Sequence, residues 1–232
     1  MEQRSFNSYS SIPPVTKNLL IINVILWIAT ALMKHRVNLI NLLGLHFPGA
    51  KDFYAFQFFT YMFMHANFAH LFFNMFAVYM FGRILESTWG SRRFLFYYIV
   101  TGLGAAVIQE LVWLQTVHSV AVMNGLSIAQ QIAGDPSSNS LITIGASGAV
   151  FGILLAFAMY YPNIEMFIIP IPFPIKAKYL VIGYGAIELF AGIANFSGDN
   201  VAHFAHLGGM LFGLILVLYW KKKDRRNGGF SY

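Results

Sequence analysis

The chain has 232 residues, of which 57% are hydrophobic and only 10% are charged, and its mean hydropathy is +0.61. A soluble domain carries about 25% charged residues, so this composition excludes an ordinary water-soluble fold and indicates that lipid surrounds much of the exterior. The chain has no cysteine, which excludes disulfides and thiolate metal sites. Its net charge of +6 comes from basic residues in short runs between apolar stretches, a pattern of topology signals that predicts no nucleic-acid partner.

Six apolar stretches are each near the ~20 residues that cross a hydrocarbon core. In chain order they cover 18–33, 58–81, 94–114, 141–161, 177–196 and 201–220. The predicted fold is therefore all-α, a polytopic membrane protein with six transmembrane helices in residues 18–220. An N-terminal segment, 1–17, precedes this bundle, and a basic tail, 221–232, follows it.

The distribution of Lys and Arg predicts the orientation. If the N-terminus is inside, all of the 15 basic residues fall on the inner side except Lys34, Arg36 and Lys51. Basic residues concentrate in cytoplasmic segments, so both termini are predicted to be cytoplasmic, in a cell membrane such as the bacterial inner membrane.

Three connecting segments are informative. Outside the membrane we expect a long loop at 34–57 with interfacial structure, and a semi-polar segment at 115–140 that is closed by a turn at 134–139. The inner connector, 162–176, cannot be a regular helix because of its prolines, which are Pro162, Pro170, Pro172 and Pro174.

Polar residues concentrate at the outer ends of the three spans that run inward. They are His65, Asn67, His70 and Asn74 in the second span, Ser147 in the fourth, and His203 and His206 in the sixth. At 1.5 Å per residue, Ser147 and His206 each lie roughly 7–10 Å below the start of their span. Polar groups inside a membrane are costly, so their shared depth predicts a functional site in the outer leaflet.

Ser147 lies among glycines. Gly145 and Gly148 allow another backbone or a substrate to approach, and Gly148 with Gly152 forms a pair suited to close helix packing. A serine near a helix N-terminus is also close to free N–H groups that can stabilise an oxyanion. The alternative is that Ser147 is only a small packing residue.

His206 shares one helix face with Gly209 and Gly213. Glycines on both helices predict that spans four and six pack backbone to backbone and bring Ser147 Oγ to His206. A histidine base is what a serine nucleophile requires.

His70 and Asn74 lie four residues apart on one face of the second span. Both can donate hydrogen bonds, so beside Ser147 they would complete an oxyanion hole with the backbone N–H of that residue. The alternative is that they only join neighbouring helices.

With these residues the sequence resembles the rhomboid intramembrane serine proteases, from the first span to Trp220. The matching motifs are His65–Asn74, Gly82–Glu86 with Trp89–Ser91, Gly145–Gly152, and Ala202–Gly209 with Gly213. Each motif is weak alone, whereas their order, spacing and shared depth are specific.

The resemblance implies a dyad of Ser147 and His206, in which His206 is general base and then general acid. It implies His70 and Asn74 as oxyanion donors. It also implies lateral substrate access near spans two and five. The implied substrates are membrane proteins, usually with a single span, that are cut near a small residue. No cofactor and no metal are expected.

The sequence departs from the family at two places. Many members carry a Trp-Arg pair in the first loop, where this chain has Phe56 and Gln57, so the anchoring of that loop is open. The aromatic residue four positions after the serine is often tyrosine, whereas here it is Phe151. Its ring can stack on His206 but offers no hydroxyl.

Two alternative functions are a non-catalytic binding protein and a metal site or transporter. A non-catalytic relative would bind membrane proteins, but such relatives typically lack the serine or the histidine. A metal site or transporter built from His65, His70, His203 and His206 would leave Ser147 and its glycines unexplained.

Glu188, deep in the fifth span, is expected to form a structural hydrogen bond to a neighbouring span rather than to orient His206.

Overall fold

The computed structural model describes residues 12–134, 141–167, 173–194 and 202–226. Several sequence predictions fall outside the described residues: most of the 134–139 turn, Pro170 and Pro172 of the inner connector, and the ends of the fifth and sixth spans at 195–196 and 201.

The described residues are mainly helical. The helices are α1 Pro14–Met33, α2 Leu39–Leu43, α3 Gln57–Thr60, α4 Phe68–Ala77, α5 Arg83–Trp89, α6 Ser91–Met123, α7 Ile128–Gly134, α8 Ser147–Tyr160, α9 Ala177–Ala194 and α10 His203–Arg226. The short strands are β1 Leu45–His46, β2 Ile142–Thr143, β3 Glu165–Met166 and β4 Ile175–Lys176. A π-helical segment, Val78–Gly82, joins α4 to α5, so that Phe68–Trp89 is one continuous helix of 22 residues.

Five helices among the described residues are long and apolar enough to cross a membrane: α1, the α4–α5 helix, α6, α9 and α10. The predicted helical membrane bundle is therefore confirmed. Helix α8 is the sixth apolar helix, but it has only 14 residues. At 1.5 Å per residue it is about 21 Å long, less than the ~30 Å of a hydrocarbon core.

Two predicted span starts, at 58 and 141, are wrong. Helix α4 begins only at Phe68, because the side chain of Asn67 accepts the His70 N–H at 2.9 Å and so forms an N-cap. The preceding apolar residues form α3 and a 3₁₀ turn, Tyr61–Phe63, instead. His65 and Asn67 thus lie in the connection before the helix. Helix α8 begins at Ser147, since the chain before it forms β2.

Helix α6 is longer than its predicted span, 94–114. It has 33 residues and ends at Met123, so that the outer segment predicted at 115–140 begins as helix. Strand β3 pairs antiparallel with β4, and the described part of the 162–176 connector is not helical, as its prolines predict.

Gln57 anchors the loop between α1 and α3. Its side chain is fully buried, and its Oε1 accepts the backbone N–H groups of His46 at 3.3 Å and Tyr54 at 3.1 Å. Its Nε2 donates to the carbonyls of Leu42 at 3.2 Å and Asp52 at 2.9 Å. The loop that lacks the Trp-Arg pair is therefore fixed by an amide that satisfies four backbone groups.

Buried Glu86 of α5 joins the α4–α5 helix to α1. Its carboxylate accepts the backbone N–H groups of Val15 and Thr16 at 2.9 and 2.7 Å, and the hydroxyls of Thr16 and Ser91 at 2.8 and 2.7 Å. The N–H groups at a helix N-terminus lack partners within the helix and favour negative charge, so Glu86 is stabilised at the start of α1.

Candidate active site

Ser147 is the first residue of α8, and the turn before it is tightly held. Gly145 has a φ of +127°, which a residue with a Cβ rarely adopts. Its N–H donates to the carbonyl of Tyr61 at 2.9 Å, and a Cβ at this position would lie 2.7 Å from His70 Nε2. Glycine is therefore required here, and Ser147 starts the helix where backbone N–H groups are free of intrahelical partners.

Helices α8 and α10 meet through their glycines. A Cβ on Gly209 would overlap the backbone carbonyl of Gly148, whereas a Cβ on Gly213 would meet the Tyr97 hydroxyl of α6 first and would lie 3.4 Å from the Cα of Gly152. Only residues without side chains allow two helix backbones to come this close.

This contact brings His206 to the serine. His206 Nε2 lies 2.8 Å from Ser147 Oγ, a hydrogen-bond distance. The ring of Phe151 stacks on the imidazole with centroids 4.2 Å apart and planes 9° from parallel. His206 is only 8% exposed, so its position is fixed by packing on one side and by the serine on the other.

His70 and Asn74 lie on α4, which packs beside α8. The Ala66 N–H points to His70 Nδ1 at 3.4 Å, so the proton of the neutral ring belongs on Nε2, the atom that faces Gly145. Asn74 donates one N–H to the His70 carbonyl at 2.9 Å, and the second N–H of its amide is left for another acceptor.

Glu188 of α9 lies on the far side of His206 from the serine. Its Oε2 is 2.9 Å from His206 Nδ1 and 2.7 Å from His203 Nδ1. The His203 contact is a well-formed hydrogen bond, whereas the N–H direction of His206 Nδ1 is off the line to the oxygen. The structural bond expected for Glu188 is therefore present, and the same oxygen also reaches the histidine that contacts Ser147.

The four histidines of the metal alternative do not form one cluster. Within the described residues, the three-ligand group found is Glu188, His203 and His206, whose donor atoms lie within 4.8 Å of one another. His65 instead lies before α4, with its ring centroid 4.9 Å from that of His70. Burial, reinforced by the neighbouring His70, lowers the pKa of His65 to about 4, so its ring is neutral near pH 7.

Comparison with known families identifies a Rhomboid domain over residues 52–223. The chain belongs to the rhomboid family. Rhomboid-like protein 11, chloroplastic, of Arabidopsis thaliana is 29% identical over 174 residues, which are 70% of this chain and 51% of the relative. The rhomboid protease AarA of Providencia stuartii is 29% identical over 161 residues, 68% of this chain and 53% of AarA.

This rhomboid chain therefore spans about half the length of these two relatives. A third relative, YdcA of Bacillus subtilis (strain 168), is 26% identical over 231 residues and matches 96% of both chains. The matched domain includes all the residues of the candidate site, from His70 to His206.

Sequence reasoning missed one feature of this rhomboid site and gave another the second place. The role of Gln57 has one signal in the sequence, a lone amide in an apolar run between Phe56 and Phe58. The contact between Glu188 and His206 has a signal too, a carboxylate deep in the fifth span, but the sequence favours a structural bond because the rotation of α9 about its own axis is not encoded in it.

Proposed function

We propose that this rhomboid-family chain is an intramembrane serine endopeptidase that cleaves transmembrane proteins, most often single-span ones, in the outer leaflet. The observation that carries the proposal is the 2.8 Å contact between Ser147 Oγ and His206 Nε2 at the start of α8. A serine hydroxyl beside an imidazole, at a helix end rich in free N–H groups, is the arrangement that acyl transfer requires.

In the first half-reaction, His206 Nε2 takes the proton of Ser147 as Oγ bonds to the carbonyl carbon of the substrate. The carbonyl oxygen becomes an oxyanion, which accepts hydrogen bonds from the Ser147 N–H, His70 Nε2–H and Asn74 Nδ2–H. His206 then gives its proton to the leaving amine as the C–N bond breaks, and an acyl-serine remains.

In the second half-reaction, water replaces the amine. His206 takes a proton from the water as its oxygen attacks the acyl carbon, and then returns that proton to Ser147 Oγ as the ester bond breaks. In both half-reactions His206 takes the proton and gives it up again. The proposed steps therefore need no cofactor.

The first experiment is covalent labelling of the purified protein with a fluorophosphonate probe, which reacts with an activated serine. We expect labelling of the native chain and none of Ser147→Ala. Ser119→Ala is a matched control, because the Ser119 hydroxyl only bonds back to the Gln115 carbonyl within α6. Absence of labelling in the native chain would instead support a non-catalytic relative that binds membrane proteins.

The proposed orientation, with both termini cytoplasmic, has a separate test. The native chain has no cysteine, so single cysteines report without background. Met123→Cys, at the exposed end of α6, should react in intact cells with an impermeant thiol reagent, and Lys223→Cys should not. The reverse result would place the active site on the cytoplasmic side.

A further inference from the structure

The far side of the His206 ring has a chemical requirement of its own. When Nε2 accepts the proton of Ser147, the proton of the neutral ring must be on Nδ1. His206 is only 8% exposed, so this N–H needs an acceptor within the protein. A second requirement arises during the reaction, when the ring becomes a buried cation that needs a compensating charge.

Glu188 meets both requirements. Its Oε2 is the carboxylate oxygen that faces His206 Nδ1, at 2.9 Å, and the side chain is only 12% exposed. A carboxylate can only accept hydrogen bonds, so this contact favours the ring tautomer with its proton on Nδ1. The bond is not yet linear, as is common for catalytic hydrogen bonds before substrate binds.

His203 holds the carboxylate in place. Its Nδ1 donates to the same oxygen at 2.7 Å, from a position one helical turn before His206. The same carboxylate oxygen therefore faces the Nδ1 atoms of both histidines.

Two other interpretations of this cluster are tested by distance and packing. Zinc binds nitrogen and oxygen ligands at about 2.0–2.1 Å, which places tetrahedral neighbours roughly 3.3 Å apart. The observed separations of 2.7 and 2.9 Å are shorter than this ligand spacing, and the contact at His203 is a hydrogen bond. A purely structural link between α9 and α10 would need the His203 bond alone and would not explain why Oε2 also faces the base.

We propose that Glu188 and His203 are positioning residues for His206, so that the site works as a serine–histidine pair supported by a carboxylate from α9. This inference rests on the proposed protease function. It assigns a task to a helix that otherwise contributes no group to the reacting atoms.

The test is Glu188→Gln, which preserves the size of the side chain and an acceptor oxygen but removes the charge. We expect kcat for a single-span substrate to fall roughly 10- to 100-fold with KM and melting temperature unchanged, less than the ~10⁴-fold loss seen when a well-aligned third member is removed. Glu188→Asp keeps the charge and should retain more kcat than Glu188→Gln. Glu110→Gln is the matched control, because Glu110 is a buried carboxylate of α6 without a hydrogen-bond partner among the described residues, and its kcat should be that of the native chain.

A native kcat in Glu188→Gln, or a Gln variant that is faster than the Asp variant, would overturn the proposal. If Glu188→Gln does not fold, His203→Ala decides, since loss of its bond should lower kcat without changing KM. Zinc found by mass spectrometry at one equivalent in the native protein and lost in Glu188→Gln would also overturn it in favour of a metal site. Labelling of the native chain by the fluorophosphonate probe keeps these outcomes separate from failure of the protease proposal itself.

Discussion

Helix α10 has two neighbours at the candidate site, and they hold it in different ways. Against α8 the contact is backbone to backbone, at Gly148 with Gly209. Against α9 the contacts are made by side chains, such as that of Met210, whose Cε would lie 3.2 Å from a Cβ placed on Gly185. More than half of α8 is buried, whereas α9 buries only Ala177, Val181 and Glu188.

The two interfaces therefore differ in how firmly they hold the residues of the candidate site. Glycine contacts leave no side chain that could change rotamer, so the α8–α10 interface fixes the Ser147–His206 distance. The α9–α10 interface depends on side chains, the Glu188–His203 hydrogen bond among them, and few residues of α9 are buried, so away from that bond α9 is held less firmly than α8. The resemblance implies lateral substrate access near spans two and five, and α9 is the fifth of these spans.

The largest expected effect removes what the α8–α10 interface positions. Ser147→Ala and His206→Ala should each abolish cleavage of a single-span substrate, with a loss on the order of 10⁴-fold or more. The double variant should be no worse than either single one, because the two residues act as a unit. Cleavage assays of the three folded proteins check this, and substantial activity in Ser147→Ala would refute the mechanism.

A smaller loss is expected from the oxyanion donors on α4. Asn74→Ala and His70→Ala should each lower kcat about 10²–10³-fold while the probe still labels Ser147 slowly. His203→Ala should cost less than either, because His203 does not face the reacting carbonyl. A result in which His203 is essential and His206 dispensable would show that the wrong histidine has been assigned as the base.

The next prediction compares the two interfaces directly through stability. Gly209→Ala places a methyl group against the Gly148 carbonyl and should lower the free energy of unfolding by about 1–3 kcal/mol, with loss of cleavage. Gly183→Ala in α9 is the matched substitution, because nothing lies within 4 Å of its Cβ position. Its melting temperature should be that of the native protein, and equal effects of the two substitutions would erase the proposed difference between the interfaces.

The smallest effect is expected within the α9–α10 interface. Met210→Ala removes the side chain that covers Gly185, but Met210 is only half-buried, so the cost should be below about 2 kcal/mol. Cleavage should stay within a few-fold of native, as measured in detergent and in vesicles. A loss as large as that of Gly209→Ala would mean that α9 is held as firmly as α8.

The sequence predicted the parts of this molecule that depend on composition and small residues. Hydropathy located the bundle, and the glycines around Ser147 and His206 predicted which helices touch. Helix starts were less predictable, because residues 58–64 are as apolar as a span and only the cap at Asn67 separates them from α4. The Glu188 contact depends on side-chain direction, which apolar periodicity does not encode when lipid and core are both apolar.

The pairing of β1 with β2 has a consequence for how the proposed protease would respond to the thickness of the bilayer. Thr143 pairs with Leu45, so the outer loop is joined by backbone hydrogen bonds to the strand that leads into Ser147. In the proposed orientation this loop lies at the outer membrane surface, and the joint would pass a displacement of the loop on to Ser147. We therefore expect turnover to vary with acyl-chain length in vesicles of defined thickness, and to vary less once Leu45→Pro removes an N–H from the joint.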